Sequence, residues 1–280
     1  MQEIRSLDAG VFELHATPFI ASCVLLLLGY ASTALIWALI VRDLGGTRLG
    51  PGEAVRLFMI GNLGRYVPGK VWQIAALTAL ARRRGVAAGT STAAAILGQG
   101  TGLIAAMGIG LSAVLQYDAL ASYQWIVVIT VLSVPVIALF TPVFDATSRL
   151  WFRVAKEEVP EGLSNLDGMR WVLLSLVSWA IYAMSFWLFA VGLGFDVGFR
   201  AGASAFAAAY VLGYLVVFAP AGLGVREGFL IALLSPSIGA GSATALAAAA
   251  RLWTTIVEVV PATAFWTRHL AAEGVTRPGE

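Results

Sequence analysis

The chain has 280 residues, of which 59% are hydrophobic and only 12% charged, with a mean hydropathy of +0.84. A soluble domain carries roughly 25% charged residues, so this composition excludes one and identifies a polytopic membrane protein. The net charge of +2, with no Lys/Arg block interleaved with aromatics, excludes nucleic acid as a partner.

In chain order, the first seventeen residues hold Glu3, Arg5, Asp8 and Glu13 ahead of any apolar run, which is not the layout of a cleavable signal peptide. Ile4, Leu7, Val11 and Leu14 fall at helical spacing, which fits either a surface-lying amphipathic helix or a frayed terminus. A first span is expected at about 18–41, followed by a polar turn at 42–52. Residues 53–84 are then broken. Their apolar halves, about 54–63 and 71–80, are each short of the ~20 residues a crossing needs. Between them lies Gly61-Asn62-Leu63-Gly64-Arg65-Tyr66-Val67-Pro68-Gly69-Lys70-Val71-Trp72-Gln73, and Arg82-Arg83-Arg84 closes the segment.

Residues 86–115 form a long span with a small residue at every fourth position, namely Ala94, Gly98, Gly102, Ala106 and Gly110. Such a stripe predicts close approach of a second helix. The next span, 125–144, has Tyr117, Tyr123 and Trp125 at its start, as an aromatic belt would. The longest polar stretch is 145–170, where Leu150, Trp151 and Val154 fit a short interfacial helix. Residues 171–193 span again, and an Ala-rich run leads to Pro220. A short apolar half at 229–238 and a last span at 244–266 complete the chain. The Arg82–Arg84 triplet and the 145–170 loop are rich in Lys/Arg, while 116–124 has none. Two spans separate the positive loops, so both fit the cytoplasmic side.

The two broken stretches superimpose without gaps. Gly61, Leu63, Tyr66 and Pro68 fall on Gly213, Leu215, Phe218 and Pro220 at one offset (213 − 61 = 152; 220 − 68 = 152), and a cation follows each break, Lys70 or Arg226. The expected fold is therefore all-α: one integral membrane domain over 1–280, a helical bundle of about six to eight membrane segments. Three spans between the breaks would invert the second unit (about 171–268) relative to the first (about 18–115), provided that each break is a re-entrant hairpin. Transporters with this layout bind substrate where discontinuous helices meet. Each broken half is alternatively a short crossing.

Arg65, Lys70, Arg226, Arg251, Glu227 and Glu258 lie in apolar surroundings. A cation at a helix centre costs about 2.5–3.5 kcal/mol or more there unless paired. In the structural reading, Arg226, Glu227, Arg251 and Glu258 pair to tie the second hairpin to the last span, with Arg251 and Glu258 seven residues apart on nearly one helical face. In the functional reading, Arg65 and Lys70 form an anion site. A helix restarting after Pro68-Gly69 presents unpaired N–H groups and the positive end of its dipole. Asn62, Tyr66 and Gln73 offer hydrogen bonds to a head group, and Trp72 either stacks on it or anchors at the interface. The same role is expected at Pro220, Gly222, Gly224, Arg226 and Glu227, with Arg251 and Glu258 as a switchable pair.

Other chemistry is not expected. Cys23 reads as packing, and His15 and His269 have no second His or Cys at ligand spacing, so neither a metal nor a cofactor is anticipated. Gly222-Leu223-Gly224-Val225-Arg226-Glu227-Gly228 has the wrong spacing for a dinucleotide loop and no preceding strand. No catalytic residue is assigned, although Glu227 or Glu258 could act as proton carrier or general base.

The stretches 65–73 (Arg-Tyr-Val-Pro-Gly-Lys-Val-Trp-Gln) and 220–227 (Pro-Ala-Gly-Leu-Gly-Val-Arg-Glu) resemble the two signature stretches of the lysylphosphatidylglycerol synthase transmembrane, or flippase-like, family. The resemblance covers nearly the whole chain in order and spacing. Ala221 departs from it, standing where the pattern often has a second glycine. It implies a helical bundle in the cell (inner) membrane that handles anionic or aminoacylated phospholipids or polyprenyl-phosphate lipids. Some relatives carry a soluble aminoacyl-transferase domain after the membrane part. Here the chain ends at Glu280, so the expectation is a membrane part alone, with a membrane lipid as ligand and a separate lipid-modifying enzyme as possible partner. A lipid flippase or lipid-binding transporter is the first expectation. A membrane-embedded lipid-linked transferase, or its accessory subunit, is the alternative.

Overall fold

A computed structural model describes residues 14–67, 71–114, 165–216 and 222–275, with the isolated positions 125, 129 and 133. The expected surface helix before residue 14, the 125–144 span as a whole and most of the 145–170 stretch lie outside the described residues. All described elements are helical: α1 Ala16–Asp43, α2 Pro51–Asn62, a 3-10 turn Leu63–Tyr66, α3 Val71–Arg82, α4 Ala88–Val114, α5 Asn165–Gly192, α6 Phe199–Leu215, α7 Val225–Ile238 and α8 Ala240–Val275. Four of them, α1, α4, α5 and α8, are long and apolar enough to cross a membrane. At 12 residues each, α2 and α3 are only about 18 Å long, well short of a hydrocarbon core of about 30 Å.

α1 and α5 pack antiparallel along most of their length. Gly192 of α5 meets Phe19 of α1, Tyr182 meets Gly29, Ser178 meets Ser32, and Arg170 and Trp171 meet Asp43. Both glycines sit where no side chain fits: a Cβ would lie 2.5 Å from the Tyr182 ring at Gly29 and 2.8 Å from the Phe19 nitrogen at Gly192. The Ser32–Ser178 hydroxyl contact (2.7 Å) and the Trp171 indole donating to Asp43 (2.9 Å) satisfy polar groups that lipid could not.

α2 and α3 form an antiparallel hairpin. Gly61 lets α2 press against the Leu77 backbone, and Arg84, just beyond α3, reaches Glu53 in the first turn of α2 (Nε–Oε1 3.2 Å). The hairpin thus returns to the end of the bundle where it began. Asp43, with Arg42 and Arg170 on it, marks the same end of α1 and α5. Thr47 donates to the Gly85 carbonyl (3.1 Å), joining the α1–α2 turn to the residues after α3. The second hairpin, α6 and α7, closes on Gly213, whose absent Cβ would lie 3.0 Å from the Arg226 Cβ. Gly222 and Gly224 make its turn at φ +71° and +77°, a region that L side chains rarely adopt. Glu227 accepts a hydrogen bond from the Gly224 N–H (2.7 Å) and so satisfies an orphan donor at the start of α7.

α4 packs on both α5 and α6. Its small-residue stripe does not serve one interface. Steps of four residues drift about 40° each on a 3.6-residue helix, so five positions spread over two faces. Gly110 meets the α6 backbone, where a Cβ would lie 2.8 Å from the Ala208 nitrogen. Gly98 and Gly102 instead border an open space, with nothing closer than 3.6 Å to a Cβ at either. Gly110→Leu is therefore expected to destabilise by about 1–3 kcal/mol or more through overpacking. Gly98→Leu should leave the thermal unfolding midpoint in detergent nearly unchanged.

Candidate functional site

The open space is a cavity bordered by residues of all eight helices. Ile36, Trp37, Phe58, Ile74 and Leu77 give one part an apolar wall, and Arg65, Arg226, Tyr30, Tyr182 and Tyr210 form the polar part. Asn62 and Gln73 come to its edge from the first hairpin, and Gly213, Tyr214 and Gly222 from the second. Both broken stretches therefore meet at one place.

Beside the cavity, the first hairpin is fastened to α8 through Glu258, which is 0% exposed. Three side chains donate to its carboxylate: Asn62 (Nδ2–Oε1 2.6 Å), Arg65 (Nη1–Oε1 3.1 Å) and Tyr66 (OH–Oε2 2.7 Å). Gln73 in turn donates to the Asn62 carbonyl oxygen. The end of α2, the 3-10 turn, the start of α3 and α8 thus form one polar network. Its local cause is the break itself: helix α2 gives way to the tighter 3-10 geometry at Leu63, and this places residues 62, 65 and 66 on one side. A carboxylate in such a site is tolerable because the donors replace its hydration and one of them neutralises it.

Arg226 is held differently. Its guanidinium lies over the Phe206 ring at 4.7 Å from the centroid and beside Tyr210 at 5.9 Å. Among the described residues it has no carboxylate within ion-pair distance. Aromatic faces attract a cation without cancelling its charge, and they leave the planar N–H edge available. The neighbouring carboxylate, Glu227, is engaged by the Gly224 N–H and by Arg251 (Nη1–Oε1 3.7 Å). The second hairpin is fastened to α4, since the Tyr214 hydroxyl donates to Gln99.

Arg251 and Glu258, read from sequence as one pair, hold different partners: Arg251 pairs with Glu227 and Glu258 with Arg65. Seven residues of helix separate their Cα atoms by about 10.5 Å along the axis, whereas the 3-10 turn brings Arg65 directly onto Glu258. Asn62, Arg65, Tyr66 and Gln73 come together as a group, and Gly222 and Arg226 join them at the cavity. Gly224 shapes the turn and Trp72 is half exposed at 51%. Pro68, Gly69, Lys70 and Pro220 lie outside the described residues. No group of three or more His, Cys, Asp or Glu side chains suited to a metal occurs among the described residues.

Sequence reading passed over Tyr30, Trp37, Gln99, Tyr182, Tyr210 and Tyr214, all of which border the cavity. Two signals were there. Tyr30 and Gln99 sit inside long spans, away from the interfacial belts that suit such residues. Phe206, Tyr210 and Tyr214 recur at four-residue spacing and so share one face of α6.

The family model described as lysylphosphatidylglycerol synthase TM region matches residues 2–262. No curated protein and no solved structure matches the chain. The match, with the four long apolar helices, makes this a multi-pass integral membrane protein of that kind.

Proposed function

We propose that this chain, which belongs to the lysylphosphatidylglycerol synthase TM region family, is a lipid transporter of the cell (inner) membrane that carries a phosphate-bearing head group through its central cavity. The observation that carries this reading is the pair of cations that the two hairpins bring to one cavity, Arg65 neutralised by Glu258 and Arg226 resting on aromatic rings. An apolar wall beside the polar part suits the acyl or isoprenoid portion of the same molecule.

The architecture is read as two inverted units. Helix lengths run long, short, short, long twice, and α8 begins one fixed offset after α4 (240 − 88 = 152), the offset of the sequence match. The corresponding helices α1 and α5 are antiparallel, as inversion requires. Contacts are reciprocal: α4 packs on α6, and α8 packs on α2. Each hairpin is then re-entrant and meets its counterpart in the interior, the arrangement that favours alternating access around a fixed site.

A transferase reading would need a carboxylate ready to accept a proton. Glu258 already takes three donors, and Glu227 takes one and is ion-paired with Arg251, which favours transport over chemistry. Reconstitution in liposomes with head-group-labelled anionic phospholipid tests the proposal. Wild-type protein should speed leaflet exchange, and Gly102→Phe, which adds a ring where the nearest atom is 3.8 Å from a Cβ, should slow it about tenfold or more while unfolding normally. Exchange that is unaffected by this plug would sink the cavity as the route.

A further inference from the structure

The charged lining of the cavity has a single sign. Among the described residues that border it, Arg65 and Arg226 are the ionisable acid–base groups that carry charge at neutral pH, and no Asp or Glu joins them. Glu258, behind Arg65, is fully buried and engaged by Asn62, Arg65 and Tyr66. Glu227 is committed to the α7 turn and Arg251. A ligand cation entering the cavity would therefore meet Arg226 and, among the described residues, no carboxylate in the lining.

Trp37 borders the same cavity, is only 1% exposed, and its indole N–H has no hydrogen-bond partner. An unpaired buried donor is costly, so this N–H marks a place in the cavity wall where the packing leaves a polar group unsatisfied. The cavity thus offers the guanidinium edge of Arg226 to an anionic, oxygen-rich group.

We infer that the cavity selects lipid head groups by charge: it takes a phosphate ester that carries no amine and rejects the aminoacylated form. A lysyl ester adds up to two ammonium groups to one phosphate. Those groups would have to shed water beside Arg226, where like charges repel and no anion offsets the loss. A plain phosphate ester meets a bidentate, charge-assisted partner in Arg226. The tight packing of Gly213 on Arg226 fixes the backbone from which that guanidinium projects, so the contact is pre-organised.

This inference rests on the cavity being the lipid site, and a competition experiment separates the two. Full-length protein in phosphatidylcholine nanodiscs is loaded with fluorescent phosphatidylglycerol and challenged with unlabelled phosphatidylglycerol, lysyl-phosphatidylglycerol of the same chains, polyprenyl phosphate and inorganic phosphate. The expected order is displacement by phosphatidylglycerol or polyprenyl phosphate about tenfold or more better than by the lysyl form. Arg226→Gln should bring the two phospholipids within about threefold, mainly by weakening phosphatidylglycerol, and Arg226→Lys should keep the preference. Equal displacement by the lysyl lipid in wild type, or a preference intact in Arg226→Gln, overturns charge selection. Inorganic phosphate competing as well as the lipids overturns the lipid head group as ligand. If the lipids compete equally yet leaflet exchange persists, selection alone falls. If selection holds without exchange, transport falls and the inference stands.

Discussion

Glu258→Ala is expected to destabilise the protein by about 3–5 kcal/mol, the cost of removing one member of a buried ion pair. The size follows from what the carboxylate holds. Asn62, Arg65 and Tyr66 all donate to it, and Gln73 depends on Asn62 for its own partner. Removing it orphans three donors at once, one of them charged, in a place where water does not replace them. Because the donors come from the first hairpin and the acceptor from α8, the loss loosens the only ion pair that joins those two elements among the described residues. Glu258→Gln should cost less, since an amide oxygen still accepts one hydrogen bond. The double variant Arg65→Met/Glu258→Met should recover much of the loss, because a buried pair replaced by apolar groups of similar size is often near neutral. Thermal unfolding of wild type, Arg65→Met, Glu258→Met and the double variant in one detergent, read as a double-mutant cycle, checks this. A cycle with no coupling between positions 65 and 258 would show that the network contributes nothing.

Arg226→Ala should show the opposite profile: leaflet exchange of an anionic phospholipid falls about tenfold or more, while stability drops by only about 0.5–2 kcal/mol. Arg226 has no carboxylate partner among the described residues, so no buried charge is stranded when it is truncated. What is lost is its contact with the Phe206 and Tyr210 rings and, among the described residues, a cavity cation that no acid neutralises. The measurement pairs fluorescence-quenching exchange in liposomes with the unfolding midpoint of the same preparation. A large stability loss with normal exchange would place Arg226 with Glu258 as a structural residue. The two variants therefore separate the fastening of the hairpin from the handling of the ligand, although Arg226 borders the cavity and Glu258 lies just behind its Arg65 wall.

This division of labour explains why the charged residues could not be sorted from sequence. Arg65 and Arg226 look alike along the chain: each follows a glycine-bearing apolar run and sits at a break. Only the fold puts Glu258, 193 positions downstream, under Arg65 (258 − 65 = 193) and puts two aromatic rings under Arg226. The small-residue stripe of α4 is a parallel case. Its spacing was legible, but the division between a backbone contact at Gly110 and a cavity wall at Gly98 and Gly102 depends on where α6 lies.

The sequence by itself determined the class of molecule, the positions of the four long helices among the described residues, and the two breaks with their glycines. Those features follow from hydropathy summed over neighbouring residues and from backbone preferences at Pro and Gly, and both are local along the chain. Gly61 and Gly213, matched by offset alone, turn out to be the close-approach points of the two hairpins. The tertiary structure alone decided which carboxylate each cation meets, which tyrosines and tryptophan face the cavity, and that Arg226 keeps its charge without an acidic partner among the described residues. These are choices among residues far apart in sequence. They turn on the rotation and crossing of packed helices, and a shift of one residue, about 100° on a helix, would give each side chain a different neighbour.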